Sequence, residues 1–275
     1  MLSGMIENVT SLGVVFRPQF APERLRDVAL VAEESGLDEL WLWEDCFFES
    51  GIASAVAVLG WTSRLRVGVG LLPVPLRNVA LSAMEVATIE RLFPGRATLA
   101  FGHGLQVWMG QAGVRAESPV TLLREYLIAL RRLLAGERVT MHGRYVNLDD
   151  VALSWPADPA PAVVAGAFGP KSLAVCAEEA DGIILAGPAG PEGVREMRAT
   201  VDKPIIVYAR AAFGPGAQER LDAEGVNEFG AAGDDVPGMV EQLVEAGAGT
   251  VVLQPTPDEP DLAGFVRAVA ALKRS

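Results

Sequence analysis

The chain is short of the residues on which many site chemistries depend. Among 275 residues there are two cysteines, Cys46 and Cys176, and two histidines, His103 and His142. Two thiols are too few for a disulfide scaffold and fit a reducing compartment. No cluster of His, Cys and carboxylates has metal-ligand spacing, so no metal is expected. Neither the Walker spacing nor a GxSxG elbow is present, which removes the P-loop and serine-hydrolase classes. Cationic excess is also missing: 23 Lys and Arg stand against 35 Asp and Glu, a formal net charge of −12. Duplex binding needs clustered cations to displace counterions, so nucleic acid is not an expected partner. No uncharged apolar run reaches the ~18 residues of a membrane span. The first seven residues lack the basic and apolar regions of a secretion signal. A cytoplasmic protein with no membrane association is expected.

What is present is apolar and regular. Half of the residues are apolar, and ~250 residues is the usual size of a (β/α)8 barrel. Apolar runs bounded by Gly, Pro and Asp predict strands at 12–16, 38–43, 65–71, 96–101, 161–165, 181–185, 204–209 and 250–253. Helical patterns lie between them. Leu25, Val28, Ala29 and Ala32 line one face of a first helix, and a second is expected over 79–92. A third begins with Ser118 as N-cap and Pro119 at the first helical position. Val236, Met239, Val240, Leu243 and Val244 form a fourth stripe, stopped by Gly247. Strand and helix alternating at this rhythm predict a single (β/α)8 TIM-type barrel domain over 1–275, with an open doubly wound sheet as the rival. Two insertions interrupt it: residues 102–118 after the fourth strand, and a hairpin within 136–160 before the fifth. His142 falls in that hairpin's turn and is expected to be exposed.

The richest stretch runs from Arg64 to Asn78, where Gly68 and Gly70 alternate with Val67, Val69 and Leu71. Glycine inside a strand marks a bulge or the close approach of something else. The next strand ends comparably, in Gly102-His103-Gly104. Glycines at neighbouring strand ends make a floor for a flat ligand at the functional face of a barrel. After the fifth strand, Ala165, Gly166, Ala167, Phe168 and Gly169 turn the chain into a helix opened by Pro170, Lys171 and Ser172. Free N–H groups there and Lys171 nearby suit a cofactor phosphate; an ordinary βα turn is the alternative. Glu44 and Asp45 close the second strand facing opposite ways, and Asp45 is the one expected to look into the mouth. Cys46 beside it has no partner base and reads as an inert thiol. His103 is the one ionisable side chain in its motif and stands as general acid or hydrogen-bond donor, or in a positional role.

These stretches together resemble the luciferase-like superfamily of flavin- and deazaflavin-dependent oxidoreductases, from the first strand to about residue 190. The resemblance rests on Leu40 to Asp45, Arg64 to Pro73, Leu92 to Arg96 with Gly102-His103-Gly104, and Gly169 to Leu173 followed by Ala180-Asp181-Gly182. It implies a barrel holding FMN or coenzyme F420 in its mouth, the ring against the third-strand bulge. A non-prolyl cis peptide is implied at Gly70–Leu71. Asp45 then matches the acid near the ring, Gly102, His103 and Gly104 the fourth-strand contacts, and Ala165 to Lys171 the phosphate turn. The chain departs from the family in two places. Cys46 stands where several F420-dependent members carry His, and Leu105 stands where sugar-phosphate-oxidising members carry Glu. The proton-transfer pair of those dehydrogenases is therefore absent. His103, Gln106, Trp108 and Gln111, with Cys46, would instead border a site for a neutral organic molecule.

Three readings follow. The first is an F420-dependent oxidoreductase passing hydride to or from a small organic substrate. The second is an FMN-dependent monooxygenase fed by a separate reductase. The third is a flavin-binding protein without turnover. Loops 46–54, 105–118 and 186–195 would shape the substrate site, and the family's habit of pairing makes a homodimer an open expectation.

Overall fold

In a computed structural model, which describes residues 11–185, 189–225 and 229–274, eight parallel strands close into a barrel. In chain order the strands are β1 (Ser11–Phe16), β2 (Glu39–Leu42), β3 (Arg66–Pro73), β4 (Ala97–Gly102), β5 (Val139–His142), β6 (Asn147–Val151), β7 (Val164–Ala167), β8 (Gly182–Leu185), β9 (Ile205–Ala212), β10 (Gly230–Ala232) and β11 (Thr250–Gln254). The helices are α1 (Leu25–Ser35), α2 (Gly51–Trp61), α3 (Val79–Leu92), α4 (Gln106–Gln111), α5 (Pro119–Leu134), α6 (Pro170–Glu179), α7 (Pro191–Thr200), α8 (Ala217–Glu224), α9 (Val236–Glu245) and α10 (Leu262–Ala271). The barrel runs β1-β2-β3-β4-β7-β8-β9-β11, and β11 pairs back onto β1. Closure removes the open-sheet rival.

Alternation along each strand divides the apolar residues into two layers. Val14, Leu40, Val67, Val69, Leu99, Ile183, Val207 and Val251 face outward and bury the helices' apolar stripes. Val15, Trp41, Ala100, Val164, Ile184, Ile206 and Val252 fill the interior. Trp41 dominates that inner layer: a Cβ on Gly68 would stand 2.3 Å from its ring, and one on Gly13 2.9 Å. Its indole N–H donates to Glu39 Oε2 at 2.8 Å. The barrel is therefore plugged below its mouth by one large side chain that two glycines accommodate.

Several boundaries differ from the sequence reading. The fifth barrel strand starts at Val164 rather than 161, because Pro159 and Pro161 cannot donate to a ladder and the Val163 N–H is taken by Asp181 Oδ2 at 2.9 Å. β10 was not anticipated. It pairs in parallel with Arg210–Ala212 at the end of β9. Ser118 does occupy the N-cap of α5, but its hydroxyl bonds Thr121 Oγ1 at 2.7 Å instead of a backbone N–H.

The hairpin of β5 and β6 forms as expected, with His142 exposed. Glu125 of α5 holds its turn by accepting from the N–H groups of Arg144 (2.9 Å), Tyr145 (2.8 Å) and Val146 (3.0 Å). Burial acts to raise the Glu125 pKa, but these N–H groups and Arg144 outweigh it and leave it lowered. A depressed folded pKa makes this hold complete above the unfolded glutamate value of ~4.3 and lost as pH falls through the folded one. Glu125→Ala is expected to speed amide exchange across residues 139–151 at pH 7 by about tenfold, leaving the barrel strands unchanged. Equal exchange in both proteins would show that the hairpin's own ladder suffices.

Candidate active site

A cavity of about 300 Å³ opens where the barrel strands end. Its floor is Gly70 and Leu71, at the point where β3 shifts register against β4 between Val69 and Leu72. The Gly70–Leu71 peptide is cis, as the resemblance implied, and so is Cys46–Phe47 at the rim. Side-chain space at Gly70 is already taken: a Cβ would meet Tyr208 Oη at 2.3 Å and Ile184 Cδ1 at 2.9 Å. Leu71 lies across two further glycines, since a Cβ at Gly102 would reach its Cδ1 at 2.5 Å and one at Gly166 its Cδ2 at 3.0 Å. The result is a flat, largely apolar surface bounded by rings. Trp43 and Tyr208 stand edge to face, centroids 5.8 Å apart, and Trp108, Phe168 and Phe229 border the opening.

Charge around the mouth is paired off except at Asp45 and at Glu49, whose buried Oε1 has no hydrogen-bond partner among the described residues. Glu44 is buried; its carboxylate takes both terminal nitrogens of Arg77 and accepts from the Gly51 N–H that starts α2 at 2.9 Å. Arg17 pairs with Glu224, donates to the Pro255 carbonyl at 3.0 Å and stacks over Trp43 with its carbon 5.6 Å from the ring centre. Among the described residues, the Asp45 carboxylate has no hydrogen-bond donor. Burial raises its pKa, Arg17 acts to lower it and Glu49 to raise it, with a net upward shift. Burial, followed by Glu44 and Asp45, also raises the Cys46 thiol, which keeps it protonated and inert.

His103 has a defined proton position. Its Nδ1 lies 2.9 Å from the Gly104 carbonyl oxygen. A carbonyl only accepts, so Nδ1 carries hydrogen, and the neutral ring is left with a lone pair at Nε2. Burial also pushes the Tyr208 phenol upward, so its hydroxyl remains a donor.

Of the residues singled out from sequence, Asp45, Gly70, Leu71, His103, Gly104, Gly166, Ala167, Phe168 and Trp108 line this cavity. Glu44, expected to face away from the mouth, lines it as well, because β2 ends at Leu42 and strand alternation no longer separates the two acids. The others lie elsewhere. Gly68 serves Trp41 beneath the floor, Gly102 serves Leu71, and Ala165 faces outward into the helix layer. Gly169, Pro170 and Lys171 open α6 outside the chamber, with Lys171 exposed; the first intrahelical bond there is Leu173 N–H to Gly169 O at 2.9 Å. Gln106 reaches the His103 and Gly104 carbonyls only at 3.5 Å, Gln111 is exposed at the far end of α4, and Cys46 sits beside the rim. Residues 186–188 of the third expected loop lie outside the described residues. Sequence reasoning missed Arg17, Tyr208, Phe229 and Gln254. Arg17, Tyr208 and Gln254 carried a usable signal, a polar residue in step with the inward-facing positions at the end of an apolar strand.

The strand-end glycines, the cis bond and the bulge occur together with a match to the luciferase-like monooxygenase model over residues 8–217. The chain belongs to that family. Among luciferase-like relatives, it is 36% identical over 224 residues to the F420-dependent glucose-6-phosphate dehydrogenase of Kineococcus radiotolerans, covering 76% of this chain and 61% of that one. It is 30% identical over 176 residues to the 5,10-methylenetetrahydromethanopterin reductase of Methanolobus tindarius, covering 64% of this chain and 53% of that one. The chain thus spans between half and two thirds of these relatives' length. The luciferase-like fold is also that of the oxygenating constituent of 3,6-diketocamphane monooxygenase from Pseudomonas putida, solved with FMN, at a TM-score of 0.73, 15% identity and 95% and 96% coverage of the two chains. Relatives of this chain are therefore an F420-dependent dehydrogenase and a methylenetetrahydromethanopterin reductase, and its fold is shared with a monooxygenase solved with FMN. Among the described residues no helix is long and apolar enough to cross a membrane, and no three His, Cys, Asp or Glu side chains gather as a metal site.

Proposed function

We propose that this chain is an F420-dependent oxidoreductase acting on a small organic substrate. The observation that carries the reading is the Gly70–Leu71 floor, which lines the cavity and has no room for a side chain at Gly70, where a Cβ would run into Tyr208 and Ile184. A planar ring fits such a surface, and the relative that is 36% identical to this chain is F420-dependent by name. When bound, the cofactor would supply or accept a hydride. The residues that would hold it are Gly70, Leu71 and Gly166 below, Trp43 and Tyr208 at one side, and, where its tail would leave the chamber past Phe168, the N–H groups that open α6 for its phosphate.

The chain's own part in the chemistry is placement and proton handling. Trp108, Leu105 and Phe168 narrow the opening and reduce water access beside the reacting carbon. The free Nε2 of His103 is suited to take a proton from a substrate hydroxyl on oxidation, and the imidazolium so formed returns it on reduction. Asp45 offers an acceptor to a donor group on either bound molecule.

Fluorescence titration with F420 and with FMN tests the cofactor. F420 is expected to bind; tight FMN binding without F420 affinity would replace this reading with the reduced-flavin monooxygenase, which needs a separate reductase. His103→Ala is expected to lower kcat about 100-fold or more while changing cofactor affinity less than about threefold. Turnover at the original rate would leave His103 with a positional role only.

A further inference from the structure

The cavity's charge has a consequence for what it admits. Its lining includes two carboxylates, Glu44 and Asp45, and no lysine or arginine. The three guanidinium groups that approach it stand against three carboxylates: Glu44 and Glu85 on Arg77, and Glu224 shared by Arg17 and Arg210. The chain's lysines are Lys171, Lys203 and Lys273. Lys171 is exposed on α6, Lys203 donates to the Ala177 and Ala180 carbonyls, and Lys273 pairs with Asp38. Residues 1–10, 186–188, 226–228 and 275 contain neither lysine nor arginine. No lysine or arginine lines the cavity to compensate an anion brought inside, and Asp45 is the one lining carboxylate without an ionic partner at hydrogen-bond distance.

The walls favour the opposite kind of guest. Trp43, Trp108, Phe168, Tyr208 and Phe229 surround the space. Aromatic faces hold flat neutral molecules by contact and cations through the ring quadrupole, and a partly desolvated carboxylate adds to the second effect. A cofactor ring and a substrate would share this chamber, so either meets the same lining charges.

We propose that the chamber selects uncharged or cationic flat organic molecules over phosphorylated or carboxylated ones, and that Asp45 sets the preference. This deepens the proposed oxidoreductase reading by naming its substrate class. It also separates this chain from the glucose-6-phosphate dehydrogenase it resembles, whose named substrate is a phosphate ester.

Three probes of one shape test it: quinoline, N-methylquinolinium and quinoline-4-carboxylate, titrated at pH 8 against the chain alone by quenching of tryptophan fluorescence. The cation is expected to bind at least as tightly as the neutral probe, and the anion on the order of tenfold or more weakly. Asp45→Asn should leave neutral binding unchanged, showing an intact chamber, while removing the cation's advantage and most of the discrimination against the anion. Leu105→Arg, which puts a cation at the rim, should tighten the anion specifically. Anion binding as tight as the neutral probe, or an unchanged order in Asp45→Asn, would overturn the proposal. These titrations need no cofactor, so failure of the F420 reading appears separately, in the F420 titration.

Discussion

Valine at position 70 is expected to abolish binding of a flavin-type ring. A Cβ there would stand 2.3 Å from Tyr208 Oη, with Ile184 Cδ1 at 2.9 Å and Trp41 Cζ3 at 3.2 Å. Tyr208 is held edge-on by both Trp41 and Trp43, at centroid distances of 6.0 and 5.8 Å, so it cannot retreat without moving the inner layer. The Cβ is fixed by the backbone, so the third-strand bulge itself must shift, and the floor under the ring shifts with it. A loss of at least about 100-fold in affinity, ~3 kcal/mol, is expected in a fluorescence titration. Far-UV circular dichroism and a melting curve check that the barrel persists. Gly70→Ala combined with Tyr208→Phe removes the closest contact and should recover part of the affinity. Unchanged binding by Gly70→Val would move the ring away from the third strand altogether.

Glu44→Ala is expected to be the most destabilising single change at the mouth. The Glu44 side chain is 9% exposed and that of Arg77 14%. Removing the carboxylate strands a guanidinium in the interior and leaves the first N–H of α2 without its acceptor. Breaking one side of a buried pair costs about 3–5 kcal/mol, or roughly 10 °C in Tm for a chain of this size. Chemical denaturation measures it directly. Leucine at both positions should recover only part of the loss, because Glu85 also pairs with Arg77 (3.5 Å) and would lose that partner. A change below about 1 kcal/mol in Glu44→Ala would mean that water reaches Arg77 and that the pair behaves as a surface ion pair.

Local pattern was enough for most of the framework. The helix expected over 79–92 spans Val79–Leu92, because Asn78 caps it and the apolar stripe ends where Phe93 and Pro94 leave the helix. The hairpin and the cis bond were also anticipated, the second through family likeness. Gly68 and Gly70 show the limit of that reading. Both alternate with valine in one strand, and both announce only that something comes close. In the folded chain Trp41 of the neighbouring strand occupies the space over Gly68, while Gly70, one pleat higher, faces the mouth.

The same limit explains the site residues that were missed or misplaced. Lys171 follows a glycine turn and opens a helix, yet it points to solvent and not into the chamber. Tyr208 and Gln254 come from the last third of the chain, more than 130 residues from the third-strand glycines, as the 138-residue separation of Tyr208 from Gly70 illustrates. Periodicity, caps and turn chemistry act over a few residues, so the order and type of elements can be read from neighbours along the chain. Which inward position holds a plug, which stays open for a ligand, and which charges cancel depend on strands brought together by barrel closure, and no local pattern carries that information.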